Sequence, residues 1–202
     1  MKHQPILLAS SSPYRRSLLQ KLNLEFEWAN PNIDEQPQPN ENANALTARL
    51  AEQKAKALGA QFPQHLIIGS DQVASFNGKI IGKPHTHTAA TAQLRQFREN
   101  ELQFLTGLCL YNAKTGKTQI SVESYKVQFR ALSDTQIEQY LQMEKPYDCA
   151  GSFKSEGLGI SLFSKLEGED PNTLIGLPLI ALIQMLDNEG IDPLASTQPR
   201  PS

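Results

Sequence analysis

Ile6-Leu7-Leu8-Ala9-Ser10-Ser11-Ser12-Pro13-Tyr14-Arg15-Arg16 changes character twice within a few residues. The apolar run Ile6 to Ala9 predicts a short buried strand. Three serines follow as a polar loop. A serine N-cap ahead of proline in the first turn then opens a helix at Pro13, with Leu18, Leu19 and Leu22 as its apolar face. A strand that feeds a helix through so short a loop points to an α/β chain. The helix N-terminus leaves backbone N–H groups unpaired and carries partial positive charge. Serine hydroxyls and arginine forks add donors suited to an anion. Two readings stand: a phosphate cradle, or an ordinary N-cap with exposed arginines. No GxxxxGK[ST] is present, so the loop is not of the Walker type.

Outward from this unit, 30–44 is rich in Pro, Asn, Asp and Glu and reads mostly as loop. A second helix is expected from Ala43 to Leu58, ended by Gly59, with Leu46, Leu50 and Leu58 in its apolar stripe. Leu66-Ile67-Ile68 reads as a buried strand ending at Gly69-Ser70-Asp71. Val73 to Phe76, Asn77-Gly78 and Lys79 to Ile81 form a hairpin pattern. A helix over Thr88 to Phe97 follows, then strands over Leu102 to Tyr111 and Thr118 to Phe129. Ser133 and Gln136 make a capping-box pair for a helix through Leu141. Leu158 to Phe163 reads as a strand, and Pro178 to Leu186 as a terminal helix. The alternation early in the chain, with a long antiparallel pair in the middle, predicts an α/β fold with a mixed, twisted β-sheet flanked by helices and two lobes. Residues 1–195 read as one such domain, and 196–202 as a flexible tail.

Of 202 residues, 39% are hydrophobic and 20% charged, which fits a soluble globular chain. The formal net charge of −2 offers no electrostatic footprint for duplex nucleic acid, so no nucleic-acid partner is expected. No apolar run reaches membrane-spanning length, and Ile6 to Ala9 is too short for a signal-peptide core. The expected address is cytoplasmic, with no membrane partner. Cys109 and Cys149 form no CxxC and are expected as buried, reduced thiols.

Several polar residues stand where chemistry needs them. Leu50, Lys54 and Leu58 share one helix face, so Lys54 interrupts an apolar stripe and must snorkel or meet an anion. Lys56 points away from that stripe. Asp71 at a strand end is either a turn aspartate or a carboxylate able to hold a divalent metal or accept a proton from water. Asp34-Glu35 offers another carboxylate, or a solvated pair. Lys83, between Gly82 and Pro84, is a turn lysine or a phosphate neutraliser. Glu156, in Gly151-Ser152-Phe153-Lys154-Ser155-Glu156-Gly157, is a recognition carboxylate or a surface charge. His85 and His87 read as exposed loop histidines, since no third metal ligand accompanies them.

Taken together, Leu8-Ala9-Ser10-Ser11-Ser12-Pro13-Tyr14-Arg15-Arg16, Asp34-Glu35, Ala51-Glu52-Gln53-Lys54-Ala55, Gly69-Ser70-Asp71, Gly82-Lys83-Pro84 and Gly176-Leu177-Pro178-Leu179 resemble the Maf family of nucleotide pyrophosphatases, in family order, over about residues 5 to 194. Ser70-Asp71-Gln72 and Cys149 to Gly157 look most like the bacterial 7-methyl-GTP pyrophosphatase subgroup. The resemblance implies an elongated, two-lobed Maf/ITPase-like fold with a central cleft. It implies a nucleoside triphosphate substrate, cut to monophosphate and pyrophosphate in a house-cleaning role. It assigns Asp71 as proton acceptor. Ser10, Arg15, Lys54 and Lys83 fall on phosphate-binding positions, and Glu35 with Asp71 on those for a divalent metal, Mg²⁺ or Mn²⁺. Tyr14, Gln72 and Glu156 fall on the positions that separate base specificities. Family members acting on dTTP or UTP tend to carry arginine where Tyr14 stands. A homodimer is usual in the family. Two alternatives remain: a dTTP/UTP pyrophosphatase, or a septum-related nucleotide binder without turnover.

Overall fold

The computed structural model describes residues 4–195; the tail expected over 196–202 lies outside them. The elements in order are β1 (Ile6–Ala9), α1 (Pro13–Gln20), β2 (Phe26–Ala29), α2 (Ala43–Ala57), β3 (Leu66–Phe76), β4 (Lys79–Ile81), α3 (His87–Phe97), β5 (Glu101–Asn112), β6 (Thr118–Phe129), α4 (Asp134–Glu144), β7 (Phe163–Glu167), α5 (Asn172–Ile175) and α6 (Leu179–Asp187). Short 3₁₀ turns occupy Ala150–Ser152 and Leu158–Leu162.

The seven strands form one sheet in the order β2-β1-β3-β5-β6-β7, with β4 paired to β3. β1 runs parallel to β2 and β3, whereas β3–β4 and β6–β7 are antiparallel, so the sheet is mixed as expected. The chain divides into two compact units, one of residues 4–72, 106–123 and 176–195, the other of 73–105 and 124–175.

In the first unit, Leu7, Ala9 and Ile67 of the sheet pack with Ala51 and Ala55 of α2 and with Leu58 at its C-cap. Helix and sheet approach closely because two strand positions carry no side chain. A methyl group at Gly69 would stand 2.1 Å from the Ala51 carbonyl oxygen, and one at Gly107 would stand 2.2 Å from that of Thr47. Both contacts are with backbone, which cannot swing aside. Gly107→Ala is therefore expected to destabilise the protein by about 1–3 kcal/mol or more. Urea unfolding reads this directly, and an unchanged midpoint would mean that α2 can lift off β5 without cost.

The second unit is built on aromatic packing. Phe97, Phe129, Phe153 and Phe163 stack edge-on or tilted at centroid distances of 4.8–5.9 Å. Leu94 of α3 and Ile137 and Leu141 of α4 belong to the same core.

Most expected elements form close to their expected bounds, and the Ser133–Gln136 capping box closes in both directions. Four expectations need correction. Asp71 does not end a strand, because β3 continues without a break to Phe76; Gly69 serves close packing against α2 and is not a breaker. Leu158 to Phe163 is not a strand: the Leu158 N–H donates to a Glu144 carboxylate oxygen at 2.9 Å, the chain turns, and β7 starts at Phe163. His87 is the first residue of α3, not a loop residue, with Nδ1 3.0 Å from the Tyr147 hydroxyl and Nε2 2.9 Å from Glu138. Cys149 is only half-buried, although both cysteines are free. Cys109 is buried, and burial pushes its thiol up to about 12, so it stays protonated and unreactive.

Candidate functional site

Ser10 leaves β1 nearly buried, at 5% exposure. Its Oγ accepts the Ser12 N–H at 3.1 Å, and Ser12 Oγ in turn caps α1 by accepting the Arg15 N–H at 3.4 Å. This local bonding starts the helix immediately after the serine loop. The two arginines then part. Arg16 lies over the Trp28 ring, 4.1 Å from its centroid, a contact worth about 0.5–1 kcal/mol at an exposed site. Arg15 instead donates from Nε to the Gly176 carbonyl at 2.8 Å. Burial pulls the Arg15 guanidinium below its usual pKa, and the charges of Asp71 and Glu35 oppose that shift. Tyr14 is exposed at 43%.

The polar loop over 30–42 is shaped by its own side chains. Asp34 Oδ1 accepts the Gln36 N–H at 3.0 Å, and Arg49 on α2 donates to Gln36 O and to both Glu41 carboxylate oxygens. The Arg49 fork and the Gln38 amide hold the Glu41 carboxyl at about 2. Glu35 lies within this loop and is largely exposed, yet its Oε1 is 2.9 Å from Lys54 Nζ.

Lys54 is where the sequence expectation sharpens. It is 6% exposed on the buried face of α2. Its ammonium meets Asp71 Oδ1 at 2.6 Å as well as Glu35. The anion reading of Lys54 holds, and the snorkelling one does not. Lys56, as expected, points outward and pairs with Glu52. Asp71 is itself 6% exposed, so a buried carboxylate and a buried ammonium face each other. Such a pair persists only with good geometry, because both ions have lost their water.

Two supports of this cluster escape a reading of isolated motifs. The Ser70 hydroxyl lies 2.9 Å from the carbonyl oxygens of both Gly107 and Gly176, which fixes the strand just before Asp71. Gly176 therefore receives both Arg15 and Ser70. Its φ of 112° is open to glycine and strained for other residues. The signal was present in Gly176-Leu177-Pro178-Leu179, but no feature of that stretch alone points to Arg15. Gln72 donates from Nε2 to Thr106 Oγ1 at 2.9 Å.

The first unit thus gathers Arg15, Glu35, Lys54 and Asp71 into one charged cluster, with Tyr14 and Gln72 on the same elements as Arg15 and Asp71 and Ser10 in the loop before α1. Lys83 and Glu156 belong to the second unit, and both are exposed. There, burial pushes the Cys149 thiol up, the charges of Lys154 and Lys83 pull it down, and those of Glu156 and Asp148 push it up. Among the described residues, no three His, Cys, Asp or Glu side chains form a ready metal-ligand cluster. The two carboxylates that converge, Asp71 and Glu35, do so on Lys54.

No helix among the described residues is long and apolar enough to cross a membrane. A structural likeness to the Ham1 protein of Staphylococcus aureus covers 92% of this chain and 99% of that one, with a TM-score of 0.50 at 12% identity. At that identity the likeness speaks to the fold alone, an α/β architecture with a mixed sheet. The description "Maf-like protein" matches over residues 5–189, a span that includes every site residue named above. This chain therefore belongs to the Maf family.

Proposed function

We propose that this chain is a nucleoside triphosphate pyrophosphatase that hydrolyses the α–β phosphoanhydride of 7-methyl-GTP, releasing 7-methyl-GMP and pyrophosphate. The observation that carries the reading is the buried Lys54 ammonium, held between Asp71 at 2.6 Å and Glu35 at 2.9 Å with Arg15 beside them. A buried carboxylate beside two cations suits a site that must both bind phosphates and activate water.

In this reading, Lys54 holds Asp71 Oδ1 in a fixed direction. Asp71 orients a water and takes its proton as the oxygen bonds to the α-phosphorus. The bond to the bridging oxygen breaks, and pyrophosphate leaves with its electron pair. Arg15 and Lys54 offset charge that develops on the phosphates, as does Lys83 by its motif. The Ser10 hydroxyl and the start of α1 add donors. Oxygen donors from Asp71 and Glu35 suit Mg²⁺ or Mn²⁺, which bind through one or two carboxylates plus substrate phosphates. Such an ion, when bound, would lower the charge on the scissile phosphates.

The base assignment rests on Tyr14, Gln72 and Glu156. N7-methylation makes guanine cationic, and an exposed tyrosine face stacks with a cation for about 0.5–2 kcal/mol. Glu156 accepts from the N–H donors of the guanine Watson–Crick edge. A charge-assisted bond of this kind contributes about 1.5–3 kcal/mol, so Glu156→Gln is expected to shrink the preference for 7-methyl-GTP over UTP, whose base offers fewer donors on that edge, by roughly 10- to 100-fold. An unchanged preference would remove Glu156 from base reading.

Pyrophosphate release from 7-methyl-GTP, GTP, dTTP, UTP and CTP with Mg²⁺ or Mn²⁺ tests the whole reading. Fastest turnover of 7-methyl-GTP is expected. Fastest turnover of dTTP or UTP would keep the reaction and overturn the substrate. Tight nucleotide binding with no turnover would instead make the chain a nucleotide-responsive regulator.

A further inference from the structure

Gln93 belongs to none of the motifs above, yet it lies between two of them. It projects from α3 within the second unit. Its Nε2 donates to the Gly82 carbonyl at 3.1 Å, and its Oε1 accepts the Ser152 hydroxyl at 2.5 Å. The amide can take only this orientation, because the Gly82 carbonyl cannot donate and must face the NH₂ group.

Each partner governs a residue of functional interest. Gly82 precedes Lys83 on the turn that ends at Pro84. Ser152 begins the stretch that leads to Glu156. Ser152 is fully buried and has a φ of 61°, next to Gly151 at 78°. A non-glycine residue holds the left-handed region only where its surroundings fix it, and the Gln93 bond is one such restraint. Further along, α4 secures the same loop. The Tyr140 hydroxyl accepts the Lys154 N–H at 3.1 Å, and Glu144 accepts the Leu158 N–H at 2.9 Å. The charges of Lys83, Lys154 and Glu156 each act on the Cys149 thiol. A backbone bond from the His85 N–H to the Tyr147 carbonyl at 2.9 Å runs alongside.

We propose that Gln93 is a positioning residue, which bridges the Gly82-Lys83-Pro84 turn to the Ser152–Glu156 loop and so sets the phosphate-neutralising lysine and the base-reading glutamate in one geometry. This rests on the pyrophosphatase reading for its functional consequence, but not for the bridge itself. Losing the bridge loosens both segments together. Turnover and base discrimination then fall in the same variant, although Gln93 touches neither phosphate nor base.

The test pairs hydrogen exchange with kinetics. In Gln93→Leu, which keeps size and removes both bonds, amides of 81–85 and of 152–156 are expected to exchange faster together. Ser152→Ala, a second route to the same break, should reproduce the change. The kcat on 7-methyl-GTP is expected to fall roughly tenfold, less than the ~10²-fold that a 1 Å misplacement can cost. In a Lys83→Ala background the same substitution should cost less than about twofold, because coupled residues are not additive. Unchanged exchange in both segments would overturn the bridge. Equal kinetic losses in the two backgrounds would show that Gln93 does not act through Lys83, and would overturn its positioning role. If the wild type turns over no nucleotide, the pyrophosphatase reading fails, and the exchange measurement still decides the bridge.

Discussion

Asp71→Asn is expected to lower turnover of the preferred nucleotide by roughly 10²–10⁴-fold, the range that a positioned general base supplies. The substitution keeps the shape of the side chain and an oxygen able to accept from Lys54. It removes the charge that could take a proton from water. Lys54 retains Glu35 as a partner at 2.9 Å, so the fold should survive with only a modest fall in melting temperature. Steady-state kinetics beside a melting curve separates the two effects. Wild-type turnover in Asp71→Asn would rule out both the proton-accepting and the metal-holding role.

Removing the lysine should do the opposite, with damage to stability as large as that to activity. In Lys54→Met the Asp71 carboxylate, whose side chain is 8% exposed, loses the ammonium at 2.6 Å that offsets its burial. Breaking one side of a buried pair costs about 3–5 kcal/mol. In a domain of this size that corresponds to a fall in melting temperature on the order of 10 °C. Glu35 is spared, since 59% of its side chain stays in contact with solvent. The double variant Lys54→Met/Asp71→Asn should therefore regain much of the lost stability, because neither charge is left buried alone, while its activity stays lost. If the double variant melts as low as Lys54→Met, the pair is not what makes that single change costly.

Sequence patterns carried the fold well wherever burial is one-sided or complete. The run Ile6 to Ala9 and the stripe of α2 were readable because apolar periodicity follows directly from facing a core. β2 leaves no signal in the sequence, because Phe26–Ala29 is an edge strand with Glu27 and Trp28 exposed and has no apolar run. The end of β3 is hidden in the sequence for a different reason. Glycine before a polar pair reads locally as a break, and only the packing of α2 shows that Gly69 stands in mid-strand. Lys54 could be singled out from its helix face, yet nothing local tells which anion it meets. That partner lies seventeen residues away on another element. That Gly176 joins Arg15 to Ser70, and Gln93 joins Gly82 to Ser152, has no local signal for the same reason: each acts through contacts distant in sequence.

Which bond is cut is the most direct test of the account. 7-Methyl-GTP would be turned over in ¹⁸O-labelled water with the wild-type protein and a divalent cation, and the products resolved by ³¹P spectroscopy and mass. Under the proposed reaction, 7-methyl-GMP is expected to carry the label, with unlabelled pyrophosphate, since a water guided by Asp71 would attack the α-phosphorus. Release of orthophosphate with 7-methyl-GDP would contradict it, since the cluster around Lys54 and Asp71 would then serve cleavage at the terminal phosphate.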